Sequence, residues 1–203
     1  MRPIGGKLVI ATHNPGKLRE MRALMEPLGI ECMGAEELGL PEPDEIGVTF
    51  ADNADLKARE AADLAGLPAL ADDSGLCVDA LQGRPGIFSA RWAEDDAGSR
   101  DWTRAMERVW RETAATEPDA APAAHFVCAL ALAWPNDGQA DTFEGRVDGT
   151  LVWPPRGARG FGYDPMFVPV GYERTFGEFE PELKHNISHR ADAFRKLVAA
   201  LNE

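Results

Sequence analysis

Four groups of polar residues carry the chemistry that this sequence can offer, and each falls where an apolar run gives way to turn residues or a helical pattern begins. The first is Thr12-His13-Asn14-Pro15-Gly16-Lys17. Free N–H groups and the positive dipole end of a helix attract phosphate, and Thr12, Asn14 and Lys17 add hydrogen bonds and charge. It is not a Walker loop, because Ala11 and Leu18 stand where that motif needs Gly and Ser/Thr. The structural alternative is a capped polar turn. The second group is Asn53 and Lys57, four residues apart on one helix face, where the alternative is a solvated face.

The third group is Asp72-Asp73-Ser74-Gly75, after an apolar run. Neighbouring carboxylates at a strand end suit Mg²⁺, which prefers oxygen ligands, and one of them can serve as a general base toward water. The acidic segment 36–47 offers Glu42, Asp44 and Glu45 as further ligands. The alternative is a type I turn with Asp at its start. The fourth group is Gly160-Phe161-Gly162-Tyr163-Asp164-Pro165, followed by Lys184 and by Ser188-His189-Arg190. Phe161 and Tyr163 are candidates to stack on a base, and Asp164 to hydrogen-bond its edge. Lys184 and Arg190 are candidate phosphate or base contacts. A Gly-rich turn that plugs a core with its aromatics is the alternative. His185 and His189 have the spacing of paired zinc ligands, but Asn186 stands where HExxH needs Glu.

The elements that must position these groups follow from periodicity. Lys7–Ala11, Ile30–Met33 and Leu67–Ala71 read as short strands, the last ending at the Asp72–Gly75 turn, with Leu76–Val78 as a separate short strand. Lys17 opens a helix in which Leu18, Met21, Leu24, Met25 and Leu28 recur at helical spacing, with Gly29 closing it. Thr49 and Asp52 form a capping box for a helix that stops at Gly66. A third helix is expected over Asp101–Thr113, a linker-like stretch over Ala114–Ala124, and a hairpin over Phe126–Trp134 and Asp141–Val147. Ser188 caps a last helix with Phe194, Leu197, Val198 and Leu201 on its apolar face. Strands that alternate with helices predict an α/β fold with a mixed sheet and flanking helices.

The 203 residues suit one domain, or two small lobes on a shared core. A net charge of −13 argues against wrapping a nucleic acid polymer, which needs a basic face, and against an anionic membrane surface. No run approaches the ~20 apolar residues that span a bilayer, and the first residues lack a signal peptide's apolar region. Cys32, Cys77 and Cys128 are far apart and odd in number, so they read as reduced core thiols of a cytoplasmic protein.

The four groups, in this order, resemble the inosine/xanthosine triphosphate pyrophosphatase family, which removes non-standard purine nucleotides. The matching pieces are Thr12, Asn14, Lys17 and Glu20; EIGVTFADNADLKA from Glu45; ADDSGLCVDAL from Ala71; GRPGIFSARW from Gly83; GFGYDPMF from Gly160; and KHNISHR from Lys184. Leu183 departs from relatives that often carry Glu before the Lys. The resemblance implies one pyrophosphatase domain of two lobes over residues 1–203, an elongated mixed sheet, a central cleft and a homodimer. It implies Mg²⁺-dependent hydrolysis of ITP, dITP or XTP to the monophosphate and pyrophosphate, with water attacking the α-phosphorus. Carried over residue by residue, Thr12, His13, Asn14, Pro15, Gly16 and Lys17 hold phosphates. Asp73 is the general base and a metal ligand, Glu45 a second acid near the metal, Ser74 a substrate contact, and Lys57 faces the triphosphate. Phe161, Gly162, Tyr163, Asp164, Lys184, His189 and Arg190 shape the base and sugar pocket. Two alternatives stand beside this expectation. A Maf-type pyrophosphatase would prefer pyrimidine or modified nucleotides, and a nucleotide sensor would bind without turnover.

Overall fold

The computed structural model describes residues 4–95, 98–116 and 121–202. Six strands hydrogen-bond in the order β2-β1-β3-β4-β5-β6: β1 (Lys7–Ile10), β2 (Glu31–Gly34), β3 (Ala69–Val78), β4 (Ala123–Ala133), β5 (Ala140–Leu151) and β6 (Phe167–Pro169). β1 runs parallel to β2, with Leu8 opposite Cys32, and parallel to β3, with Ile10 opposite Leu70. β5 and β6 are antiparallel, with Thr150 opposite Val168. The sheet is therefore mixed, and the fold is α/β, as periodicity predicts. The helices are α1 (Pro15–Met25), α2 (Phe50–Ala65), α3 (Trp102–Thr116), α4 (Pro181–Ile187) and α5 (His189–Leu201). No helix among the described residues is long and apolar enough to cross a membrane.

The chain divides into two compact units. The first comprises the segment ending at Asp73, Cys128–Gly145 and the segment from Arg190. Here side-chain alternation sorts the strands onto two cores. Leu8, Ile10, Leu70, Cys128, Leu130 and Leu132 pack with Met21 and Met25 of α1 and Leu197 of α5. The alternate positions, Val9, Ala69, Ala71, Ala129, Ala131 and Ala133, pack with Ala54, Ala58, Ala61 and Ala62 of α2. Successive strand residues face opposite sides, so one face carries the large side chains and the other the small ones. Helix packing distance follows the side chains at the contact. The alanine face therefore lets α2 approach the sheet closely.

α2 begins as the Thr49–Asp52 pair predicts. Thr49 Oγ1 accepts from the Asp52 N–H at 3.1 Å, and Asp52 accepts from the Thr49 N–H at 3.0 Å. Gly66 ends it with φ 65°, the left-handed conformation that glycine adopts without cost.

The second unit comprises Ser74–Val127 and Arg146–His189. Its core joins Leu76 and Val78 to Met106 and Val109 of α3 and to Phe126, Tyr163, Phe167, Phe176 and Phe179. Fully burying such a side chain contributes ~1.5–3 kcal/mol.

Four expectations change. Asp72-Asp73-Ser74-Gly75 is not a turn; β3 runs straight through it to Val78. The reason is that both carboxylates have buried charged partners and do not need solvent. α1 starts two residues before Lys17, because Pro15 is pre-shaped for a first helical turn. α4 and β6 were not expected from periodicity, and Ser188 follows α4 directly before α5. Of the linker-like stretch, 117–120 lie outside the described residues, and its ends belong to α3 and β4. The three cysteines are free, and burial pushes the Cys128 thiol up to about 12.

Candidate active site

The alternation along β3 that sorts the two cores also separates Asp72 from Asp73. Asp72 shares its parity with Leu70, and its partners come from α1 and α5: Lys17 Nζ at 3.2 Å and Arg190 Nη2 at 2.8 Å. Arg190 also holds Glu20 of α1. Burial alone would push the Asp72 carboxyl up, but Lys17 and Arg190 outweigh it and hold the group well below the usual carboxylate range. Asp73 shares its parity with Ala69 and Ala71, and its partners come from α2. Lys57 Nζ donates to Oδ1 at 3.1 Å and Asn53 Nδ2 donates to Oδ2 at 3.1 Å.

Lys57 also donates to Glu45 at 2.7 Å, so one ammonium gathers Glu45 and Asp73. Burial disfavours the Lys57 charge, yet Asp73 and Glu45 outweigh it and hold its value above normal. Asp73 ends differently from Asp72. Burial dominates, Lys57 and Lys17 offset it only in part, and the carboxyl sits above its ordinary value. Two neighbouring aspartates thus have their affinities for a proton driven apart, the pattern of a fixed anion beside a base. Glu42 and Asp44 are exposed, so Glu45 is the acid of that loop in contact with this cluster.

The 12–17 segment is more self-contained than a bare anion site. Asn14 Oδ1 accepts from the N–H groups of Gly16 and Lys17 at 2.8 and 3.2 Å, which caps α1. Thr12 Oγ1 accepts from the Asn14 N–H at 3.2 Å. His13 Nε2 donates to the Leu40 carbonyl at 3.0 Å. Pro15 occupies the first turn. Thr12, His13, Asn14, Pro15, Gly16, Lys17, Glu45, Lys57, Asp73 and Arg190 all belong to the first unit.

Ser74, Phe161, Gly162, Tyr163, Asp164, Lys184 and His189 belong to the second unit. There Asp164 Oδ2 accepts from Lys184 Nζ at 2.7 Å and from the Phe161 N–H at 2.8 Å. Gly160 permits this closure, because a Cβ there would stand 2.0 Å from Asp164 Oδ2. Lys184 lies under the half-buried Phe161 ring, 4.7 Å from its centroid. Tyr163 is buried, donates to the Ser89 carbonyl at 2.9 Å, and meets Trp102 edge-on at 5.5 Å. His189 stacks on Phe126 at 4.8 Å. Of the two loop aromatics, Tyr163 is a core plug and Phe161 keeps the more open ring. Arg190 likewise stands inside, 1% exposed and engaged with Asp72 and Glu20.

Asn53 and Glu20 gain their contacts only in the folded chain. Asn53 stands one helical turn before Lys57 on the same face, which is its signal in the sequence. Glu20 stood in a matching motif, but nothing local links it to Arg190.

Residues 8–200 match the Ham1 family. The chain belongs to that family. A dITP/XTP pyrophosphatase of Caulobacter vibrioides is 60% identical over 198 residues, covering 98% of this chain and 99% of the relative. The dITP/XTP pyrophosphatase of Zymomonas mobilis is 56% identical over 195 residues, covering 96% of this chain and 91% of that one. The solved structure of a HAM1 protein from Coxiella burnetii superposes with a TM-score of 0.86 at 38% identity, covering 97% of this chain and 98% of that chain. Nothing in these matches supports a Maf-type protein.

Proposed function

We propose that this Ham1-family chain is a nucleoside triphosphate pyrophosphatase acting on non-standard purine nucleotides. Its substrates are ITP, dITP and XTP, and its products the monophosphate and pyrophosphate. The observation that carries the reading is Asp73, a buried carboxylate held at both oxygens and pushed above its ordinary proton affinity.

Asp73 takes a proton from water as the water oxygen forms its bond to the α-phosphorus. The bond from that phosphorus to the bridging oxygen breaks, and pyrophosphate leaves. Lys57 and Lys17 offset charge on the phosphoryl oxygens, where positioning and electrostatics supply most of the catalysis. Thr12, His13, Asn14, Pro15 and Gly16 form the capped turn beside the phosphates, its internal hydrogen bonds setting its shape, and Ser74 contacts the substrate. Phe161 offers its ring to the purine, while Gly162, Tyr163, Asp164, Lys184 and His189 shape the surroundings of base and sugar. Arg190 acts through Asp72, which it keeps ionised.

Mg²⁺ fits the donor set. Asp73 and Glu45 converge on one positive group, the Lys57 ammonium. Across the cluster, the carboxylates of Glu20, Glu45, Asp72 and Asp73 outnumber the cations Lys17, Lys57 and Arg190. Mg²⁺ binds through one or two carboxylates plus substrate phosphates. Glu45 and Asp73 would hold it, and when bound it supplies Lewis acidity and charge neutralisation at the phosphates.

Donors facing the C6 oxygen of these purines would be left unpaired by adenine, at a cost of ~1–3 kcal/mol each. We place the enzyme in the cytoplasm, as a homodimer of single pyrophosphatase domains over residues 1–203. Turnover on ITP, dITP, XTP, ATP and GTP tests the reading. Preference for the first three is expected, and equal turnover of ATP would remove it.

A further inference from the structure

Two side chains one turn apart on α2 make the same kind of bridge. Lys57 spans Glu45 and Asp73 Oδ1, at 2.7 and 3.1 Å. Asn53 spans the Gly47 N–H and Asp73 Oδ2, at 2.8 and 3.1 Å. Each therefore ties the loop that carries Glu45 to one oxygen of Asp73. Asn53 is 1% exposed, so neither of its bonds is shared with bulk water.

Its orientation is dictated by its partners. An ionised carboxylate only accepts, so the amide NH₂ must face Asp73. A backbone N–H only donates, so Oδ1 must face Gly47. No other residue of that size offers a donor and an acceptor in those two directions. Gly47 carries the complementary constraint. A Cβ there would stand 2.6 Å from Asn53 Oδ1 and 2.6 Å from Asp52 Cβ, so the backbone comes closer than a side chain allows.

We infer that Asn53 is a positioning residue for the reaction: it locks the plane of the Asp73 carboxylate and couples it to the Glu45 loop. This rests on Asp73 being the base. The physical reason is torsional. A terminal carboxylate rotates over a broad, roughly two-fold well, and the single bond from Lys57 leaves that rotation open. A second bond to the other oxygen closes it, and small misplacements of a reacting group cost up to ~10²-fold in rate.

Purified Asn53→Asp, Asn53→Ser, Asp73→Asn and the double variant Asn53→Asp/Asp73→Asn test this, by steady-state kinetics on dITP and by thermal midpoint. Asn53→Asp keeps the size and the acceptor toward Gly47 but sets an acceptor against Asp73. The expected result is a kcat lowered at least ~10-fold with KM within ~3-fold, the signature of an interaction that matters in the transition state. Asn53→Ser, which shortens both arms, gives the same split and serves if Asn53→Asp does not fold. In the double variant the donor and acceptor exchange places. Its midpoint should rise above that of Asn53→Asp alone, while activity stays absent because the base is gone. A wild-type kcat in either single Asn53 variant, a rise in KM alone, or a double variant melting no higher than Asn53→Asp would overturn the positioning role. An active Asp73→Asn would instead remove the base assignment on which it stands.

Discussion

Arg190 and Asp72, 118 positions apart in the chain, meet in an ion pair of 2.8 Å with both side chains 1% exposed. Lys17 completes the surround of Asp72, and Glu20 that of Arg190. The pair keeps Asp72 an anion on the face of β3 opposite Asp73. Removing one partner of a buried pair leaves an uncompensated charge and costs ~3–5 kcal/mol. Arg190→Met should lose stability of that order in urea unfolding. A loss under ~1 kcal/mol would mean that Lys17 alone, solvent or a proton compensates Asp72.

Lys57 stands between two carboxylates, Glu45 and Asp73. Lys57→Ala removes the donor proposed for the phosphoryl oxygens and leaves Glu45 and Asp73 facing each other. Its kcat/KM should fall at least ~10²-fold, the usual scale for losing one preorganised donor. Unchanged kcat and KM in that variant would count against the placement.

The alanine face of α2 makes both bridges short. Ala58 is fully buried against β-strand alanines. Ala58→Leu should cost ~1–3 kcal/mol by overpacking and should also lower kcat, because α2 carries Asn53 and Lys57 outward with it. Stability and rate measured on the same preparation check the link, and a destabilised variant with normal kcat would break it.

What could be read in advance was local. Thr49 and Asp52 announce a helix start within four residues, and Gly66 its end, because capping is decided by neighbours. The parity of Leu70, Asp72 and Asp73 was also present in the sequence. The straight passage of β3 was not legible, since Asp-Asp-Ser-Gly has turn chemistry. Only Lys17, Lys57 and Arg190, brought from three different helices, make it a strand. Arg190 shows the same limit. As a residue type it suits phosphate or a base edge, and only the tertiary pairing assigns it to Asp72. α4 is seven residues long, too short for periodicity to outweigh its polar composition.

Glu37 gives a pH dependence remote from the reaction. It accepts from Arg22 at 2.6 and 2.7 Å and from the Gly34 N–H at 2.8 Å. The Arg22 hydrogen bond, then that from Gly34, holds its carboxyl below the ordinary value. A lowered folded-state value stabilises above the ordinary glutamate value of ~4.3 and is lost as pH falls through the folded one. The stability gap between wild type and Glu37→Gln should be full above the ordinary glutamate value of ~4.3 and close as pH falls below it. A gap that widens on acidification would reverse the sign. Because the pair is exposed, the gap is small and salt-sensitive.

In the proposed reaction water, deprotonated by Asp73, attacks the α-phosphorus. Turnover of dITP with Mg²⁺ in ¹⁸O-labelled water, followed by phosphorus NMR and mass analysis of the products, addresses it directly. The expected result is label in the deoxynucleoside monophosphate, unlabelled pyrophosphate, and loss of at least ~10²-fold in rate for a folded Asp73→Asn. Label in pyrophosphate, release of orthophosphate, or near-normal turnover by Asp73→Asn would contradict it.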